Sequence, residues 1–388
     1  MRRLLAQLKA QRTAGGDQTR VVRGDDPPAN WPDFLEPPEF VAVPRFGLDD
    51  ESERQAAMKY LQEEGFCVFR NVLSESQCEE ALDLLWQELE GLDPNQRIKR
   101  DDPETWTDAN GFDLGFNTIW GHTRFLWHVR GQPRVKKVWQ TLHGTDKLLV
   151  SYDGVVVYKP WGLQEKWRSP AMNLHVDTRE QMYDDGERIP DGYVQGFVNL
   201  IGNSPAVGGN IIIPKSHKYH AEFDGLRQKL KSEDDRAAWQ RGPLSAKQRR
   251  QRMSVFEQAL RQMGERYPSV FKRAIQAEVK AGDVFCWFDE TVHSAGAGRG
   301  AGPTSMSLTR ASVFVTMSPK AKARQSTLRE REQAVETNHG NGHTAHHPIH
   351  APPQRDIYKK RQPGGRRRVP GKWAGLAELS PSQRGLVS

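Results

Sequence analysis

The 388-residue chain reads as a mainly β domain with flanking helices, arranged as a β-sandwich or barrel. Three observations predict this. Short runs of strand formers recur at 148–156, 193–200, 210–214, 283–288 and 308–317. One long polar helical stretch with alternating charge, 221–278, interrupts them. Helices do not alternate with the strands, as a parallel α/β sheet would require.

The elements follow in order. Met1 to Gly15 is basic, has no acid before Asp17, and reads as a short amphipathic helix. It is either a frayed surface helix or a mitochondrial presequence. A secretory signal is excluded, because no apolar stretch of suitable length follows the arginines. Residues 24–50 are rich in proline and acid and read as a linker, either wrapping onto the core or disordered, so 1–54 is expected to be an extension. Residues 51–64 look helical and Phe66-Cys67-Val68-Phe69 looks like a strand. Ser74 is a candidate N-cap with Gln77 at the third helical position, and apolar residues then recur at helical spacing. The strand runs and the helical insertion come next, and the domain is expected to end near residue 318. From 319 to 388, Pro, Gly, Arg and His dominate, which predicts a basic, disordered tail.

Composition bounds the function. Hydrophobic residues are 36% and charged residues 27% of the chain. Its longest apolar runs, such as Ile211-Ile212-Ile213, are far too short to cross a bilayer, so no membrane span is expected. Cys67, Cys78 and Cys286 have no paired spacing, which excludes a disulfide framework or a cysteine-rich zinc knot. A reducing, cytoplasmic setting is the simplest expectation. The formal charge is +7, but residues 320–388 hold 14 Lys and Arg against 5 Asp and Glu. The body is therefore near neutral, and the high pI does not argue that it binds nucleic acid.

The chemistry is carried by His175-Val176-Asp177. On a strand, residues two apart point to one face, so an imidazole and a carboxylate would project together. His293 follows the apolar strand Val284-Phe-Cys-Trp-Phe. Two imidazoles and one carboxylate on one face of a metal form the facial triad of non-haem Fe(II) oxygenases, with positions left open for ligands. The bland alternative is a strand-end histidine bonded to a nearby acid. Arg310 opens an alternating strand and is either an exposed strand-edge arginine or one facing the barrel interior, where it needs an anion that a carboxylate supplies by bidentate pairing. Lys159 ends the run Val155-Val-Val-Tyr-Lys and is either a solvated edge residue or a second cation for the same carboxylate.

Five blocks in order then resemble one family. They are Leu61 to Ser74, Gly144 to Pro160 with its Lys-Pro, the His-x-Asp segment, Gln195 to Leu200 with Gly208-Gly-Asn-Ile-Ile-Ile-Pro-Lys-Ser-His, and Lys280 to Phe288. The chain from about 55 to 318 resembles the phytanoyl-CoA dioxygenase family of Fe(II)/2-oxoglutarate-dependent oxygenases. That resemblance implies a double-stranded β-helix core, jelly-roll or cupin-like. It implies His175, Asp177 and His293 as iron ligands, and Arg310 as the anchor of 2-oxoglutarate with Lys159 assisting. It also implies hydroxylation of a small organic substrate by O2, with 2-oxoglutarate converted to succinate and CO2. Two features depart from the pattern. Lys215 stands where glycine is usual, and Arg310 lies 17 positions after His293, longer than the usual interval. Arg299, six residues after His293, is the alternative anchor, but it lies among glycines, whereas Arg310 begins a strand.

Other residues are weighed on the same terms. Trp161 and Trp167 lie just ahead of His175 and are candidates for a substrate pocket, where Arg168 and Arg179 would suit an anionic substrate. His217 and His220 read as turn or core histidines. Two rival classes follow from the residues. One is a catalytically silent β-helix binding or scaffold protein, which would show a damaged triad. The other is an oxygenase whose basic tail, with Lys359-Lys360-Arg361 and Arg366-Arg367-Arg368, recruits it to nucleic acid or to a protein substrate.

Overall fold

The strand-forming runs become two facing sheets in the computed structural model. It describes residues 31–388 apart from 33, 92–94, 108–114, 118–120, 170–172, 178–192, 242–253, 341–344 and 346–374. In chain order, β1 (Glu39–Val41) and β2 (Arg45–Phe46) precede α1 (Glu51–Glu64), β3 (Phe66–Phe69) and α2 (Glu75–Glu90). There follow β4 (Gly115–Asn117), α3 (Arg124–Arg130), α4 (Pro133–His143), β5 (Leu148–Val150) and β6 (Val155–Tyr158). After the His175 segment come β7 (Val194–Asn199), β8 (Gly209–Ile212), α5 (His220–Arg241), α6 (Val255–Arg266) and α7 (Pro268–Phe271). The chain closes with β9 (Ile275–Ala277), β10 (Val284–Phe288), β11 (His293–Gly296), β12 (Arg310–Phe314), β13 (Met317–Pro319), α8 (Gln325–Thr337) and α9 (Pro381–Arg384).

While β13 and β5 form a separate antiparallel pair, the larger sheet runs β2-β3-β10-β7-β12-β6-β4 and the smaller β1-β9-β8-β11. Strands distant in sequence alternate between the two, which is the double-stranded β-helix. Period-two patterning sorts the faces. Phe197, Phe285, Trp287 and Ile212 pack between the sheets. Cys67, Cys286 and Phe69 point the other way, into a large cluster with Leu85, Trp86 and Trp139 of the helices. Ile211 likewise leaves the interior and packs with Phe223, Leu260 and Met263 of α5 and α6.

Local chemistry sets the helix ends. Asp50 accepts from Ser52 and Glu53 N–H groups at the start of α1, and Ser74 and Gln77 complete a capping box on α2. α1 stops at Gly65, whose φ of 85° lies in the left-handed region. A Cβ there would sit 2.5 Å from His217 Nδ1, so the chain can turn into β3 only with glycine.

The linker over 24–50 wraps onto the core, where its β1 and β2 add in parallel to β9 and β3 and offer hydrogen bonds to open sheet edges. Two expectations are corrected. Residues 275–277 of the helical insertion are a strand, paired antiparallel to β8. The tail beyond 318 is not disordered over its described parts. α8 buries Arg331, Ala334 and Val335, and the segment after 375 buries Leu379, Leu386 and Val387. Arg331 Nε donates to Val387 O at 2.8 Å, and its Nη2 donates to Val150 O at 2.7 Å and Leu386 O at 3.1 Å. Its Nη1 donates to Ala345 O. The basic clusters 359–361 and 366–368 lie outside the described residues, as does the N-terminal segment 1–15. Among the described residues, no helix is long and apolar enough to cross a membrane.

Candidate metal centre

Strand pairing builds the centre. His175 N–H donates to His293 O and His293 N–H to His175 O, each at 2.9 Å. Asp177 N–H donates to Asp289 O, also at 2.9 Å. These bonds lay the His175 segment along β11 and carry His175, Asp177 and His293 to one end of the barrel. One ligand atom from each of the three lies within 4.8 Å of the other two. Asp177 Oδ2 is 3.1 Å from His293 Nε2, and Oδ1 is 3.7 Å from His175 Nε2.

The second nitrogen of each ring decides what the first can do. His175 Nδ1 donates to Asn173 O at 2.8 Å and His293 Nδ1 donates to Thr291 O at 2.9 Å. A carbonyl only accepts, so each Nδ1 holds the proton and each Nε2 presents a lone pair toward the carboxylate. Two such imidazoles and one carboxylate suit a divalent metal and fill one face of it. The His293 side chain is 7% exposed and that of His175 33%, so the centre is closed on the barrel side and open on the other. Beneath Asp177, burial raises the Asp289 carboxyl to about 8, with Glu290 and Asp177 adding to the effect. It is therefore largely uncharged near neutrality.

Arg310 enters the barrel from β12, directly paired with Tyr158 of β6. Its guanidinium lies 5.3 Å from the Tyr158 ring centre and 5.6 Å from that of Phe197. Its Nε donates to Ser312 Oγ at 3.2 Å, and the Ser312 hydroxyl donates to Asn199 Oδ1. Burial pulls its pKa below the ordinary arginine value. Among the described residues no carboxylate pairs with it, so a buried cation faces the interior with capacity for an anion. Sequence reasoning does not reach Tyr158, Ser312 or Asn199. The signal for Ser312 is the strand period, which puts it on the face of Arg310.

The other candidates are placed elsewhere. Lys159 is turned out of the barrel, where its Nζ donates to Trp106 O at 2.9 Å and lies 5.2 Å over Trp167. Arg299 Nη2 donates to Gln276 Oε1 at 3.2 Å. Gln276 pairs with Ile211, whose side chain leaves the interior, so Arg299 lies outside the barrel. The extra residues before Arg310 pack onto the 161–162 turn. Gly162 N–H donates to Pro303 O, and a Cβ on Gly302 would lie 2.5 Å from Gly162 N. Trp161 and Trp167 belong to the large outer cluster. Arg168 donates to Gly298 O and stacks on Trp161. Arg179 lies outside the described residues. His217 Nε2 bonds Gln62 O, a structural role. Lys215 has φ 68°, the region that favours glycine, and pairs with Glu64 at 3.3 Å.

Comparison with known proteins identifies the family and the fold. The model of the phytanoyl-CoA dioxygenase family matches residues 61–305, well over half of the chain. "Ava biosynthesis cluster protein O" of Aspergillus versicolor is 25% identical over 289 residues, 73% of this chain and 83% of that protein. A "putative phytanoyl-CoA dioxygenase" of Dictyostelium discoideum is 24% identical over 199 residues, 42% of this chain and 56% of that protein. Among solved structures, GlcNAc Inducible Gene 2 of Candida albicans superposes with a TM-score of 0.52 at 14% identity, covering 89% of this chain and 79% of that one. At that identity the likeness is one of fold.

Proposed function

The chain belongs to the phytanoyl-CoA dioxygenase family, whose members use Fe(II) and 2-oxoglutarate, and from that premise we propose that it is a dioxygenase hydroxylating a small organic substrate. His175, Asp177 and His293 hold Fe(II), and Arg310 pairs with the distal carboxylate of 2-oxoglutarate. The observation that carries this reading is the pair of Nδ1–H bonds that leave both Nε2 lone pairs beside the Asp177 carboxylate. When bound, the metal with O2 and 2-oxoglutarate supplies the oxidising chemistry, in which loss of CO2 from the 2-oxo acid is coupled to oxygen insertion into a C–H bond.

The residues of the chain bind, orient and exclude water. The Asn173 and Thr291 carbonyls fix ring tautomer and direction, so the ligand set needs little reorganisation. Arg310, held by Ser312 and the Tyr158 ring, would bind and orient the co-substrate. Phe197, Ile212 and Trp287 line the interior and keep it dry, which strengthens the pairing of Arg310 with a carboxylate.

Anaerobic titration of the purified protein with Fe(II) and 2-oxoglutarate tests this. A visible charge-transfer band that His175→Ala abolishes is the expected result. A well-folded protein that binds no Fe(II) would point instead to a silent binding module.

A further inference from the structure

Two polar atoms beside His293 take no part in the roles assigned above. Gln195 and Trp287 face one another across β7 and β10. They alternate with Gly196 and Cys286 and share the interior face with Phe197 and Phe285. The Trp287 ring centre is 5.3 Å from that of His293. Gln195 is 3% exposed and Trp287 2%. Among the described residues, neither Gln195 Oε1 nor Trp287 Nε1 has a hydrogen-bond partner.

Burying an unpaired acceptor and an unpaired donor is costly, and native interiors rarely keep both side by side. An indole nitrogen only donates, and an amide oxygen only accepts. The pair therefore complements a group that accepts and donates at once, which is a hydroxyl or a carboxamide. With the amide oriented as it is, a carboxylate would satisfy the indole but set its second oxygen against the glutamine oxygen, and is the poorer fit. We propose that Gln195 and Trp287 form the substrate-recognition pair of this centre and bind a hydroxyl or carboxamide of the organic substrate next to the C–H bond that is oxidised. This rests on the metal-centre reading given above.

Saturation-transfer difference NMR on the full chain tests the pair without needing the metal. The probes are acetamide and 2-propanol, with acetate as the contrasting probe. Acetamide and 2-propanol should give transfer, and acetate should neither give it nor compete. Trp287→Phe keeps the ring and removes the N–H, and Gln195→Leu keeps the volume, so a folding defect in one leaves the other to decide. Each should weaken acetamide binding about fivefold or more, the loss of one buried hydrogen bond. Adding Mn(II) and 2-oxoglutarate should leave acetamide in place. Unchanged affinity in both variants would mean that a resident water satisfies these atoms, and the proposal fails. Displacement by 2-oxoglutarate would assign the pair to the co-substrate and also sinks it. Mn(II) binding, followed separately by electron paramagnetic resonance, reports on the metal centre alone. Its absence alongside intact acetamide binding would overturn that reading and not the pair.

Discussion

His175 and His293 are hydrogen-bonded to each other through both of their main-chain groups, and their rings lie 4.4 Å apart. A short segment carrying two ligands is thus held to β11 by this bridge and to the end of β10 by the bond from Asp177 N–H to Asp289 O. A metal gripping the three side chains would clamp the segment to the sheet a second time. Binding to the folded state alone stabilises by about 2.7 kcal/mol at a hundredfold excess over Kd. Mn(II) should therefore raise the melting temperature by a few degrees, and His175→Ala or His293→Ala should remove the rise. Scanning fluorimetry with and without the metal checks this; an equal rise in either variant would place the metal elsewhere.

Arg310 and Arg299 make opposite predictions for 2-oxoglutarate. Charge-assisted pairing to a carboxylate contributes about 2–3 kcal/mol when water is excluded. Arg310→Ala should raise the Kd of the co-substrate roughly 30- to 150-fold, and Ser312→Ala, which only orients the guanidinium, roughly fivefold. Arg299→Ala, outside the barrel, should leave it within about twofold. Titrating the charge-transfer band against 2-oxoglutarate in each variant decides between them.

Local rules carry far in this sequence, and long-range contacts do not. The Ser74 capping box, the strands at 194–199, 284–288 and 310–314, and the shared face of His175 and Asp177 all follow from spacing within a few residues. The direction of Lys159 does not, because Trp106, some fifty residues earlier, supplies the carbonyl that turns it outward. The C-terminal segment misleads for the same reason. Its composition is that of a disordered chain, yet Leu386 and Val387 are buried on a partner, Arg331, whose own surroundings only the fold creates. The glycine preference at 215 is legible, since Lys215 sits at a left-handed φ, and its pairing with Glu64 is what the sequence conceals.

Arg331 is the stability prediction. It is fully buried, stacks 4.3 Å over Tyr152, and donates to four main-chain carbonyls from α9's flank, β5 and residue 345. Arg331→Met fills much of the volume but leaves those carbonyls without this donor. Removing residues 386–388 exposes the same site from the other side. Each change should cost about 3–5 kcal/mol, read as a lower urea midpoint. A stability loss below about 1 kcal/mol in both would show that the C-terminal segment is not a structural part of the domain.

The last prediction concerns acid. His122 is fully buried, stacked on Trp127, and its Nε2 donates to His339 O at 2.7 Å. Burial, with the nearby Arg130 adding to the effect, lowers its pKa to about 3. The unfolded chain, with an ordinary histidine near 6.5, binds more protons over the interval between these values. Stability from the neutral ring is therefore complete above about pH 6.5 and is lost as pH falls toward 3. The full loss is on the order of 4–5 kcal/mol. His122→Gln keeps a donor for His339 O and does not titrate. It should start less stable at neutral pH, yet lose less on acidification to pH 4 than the wild type does. Urea midpoints at pH 7.5, 6, 5 and 4 measure the two slopes. Parallel curves would mean that water reaches the ring and that carboxylates alone govern the acid limb.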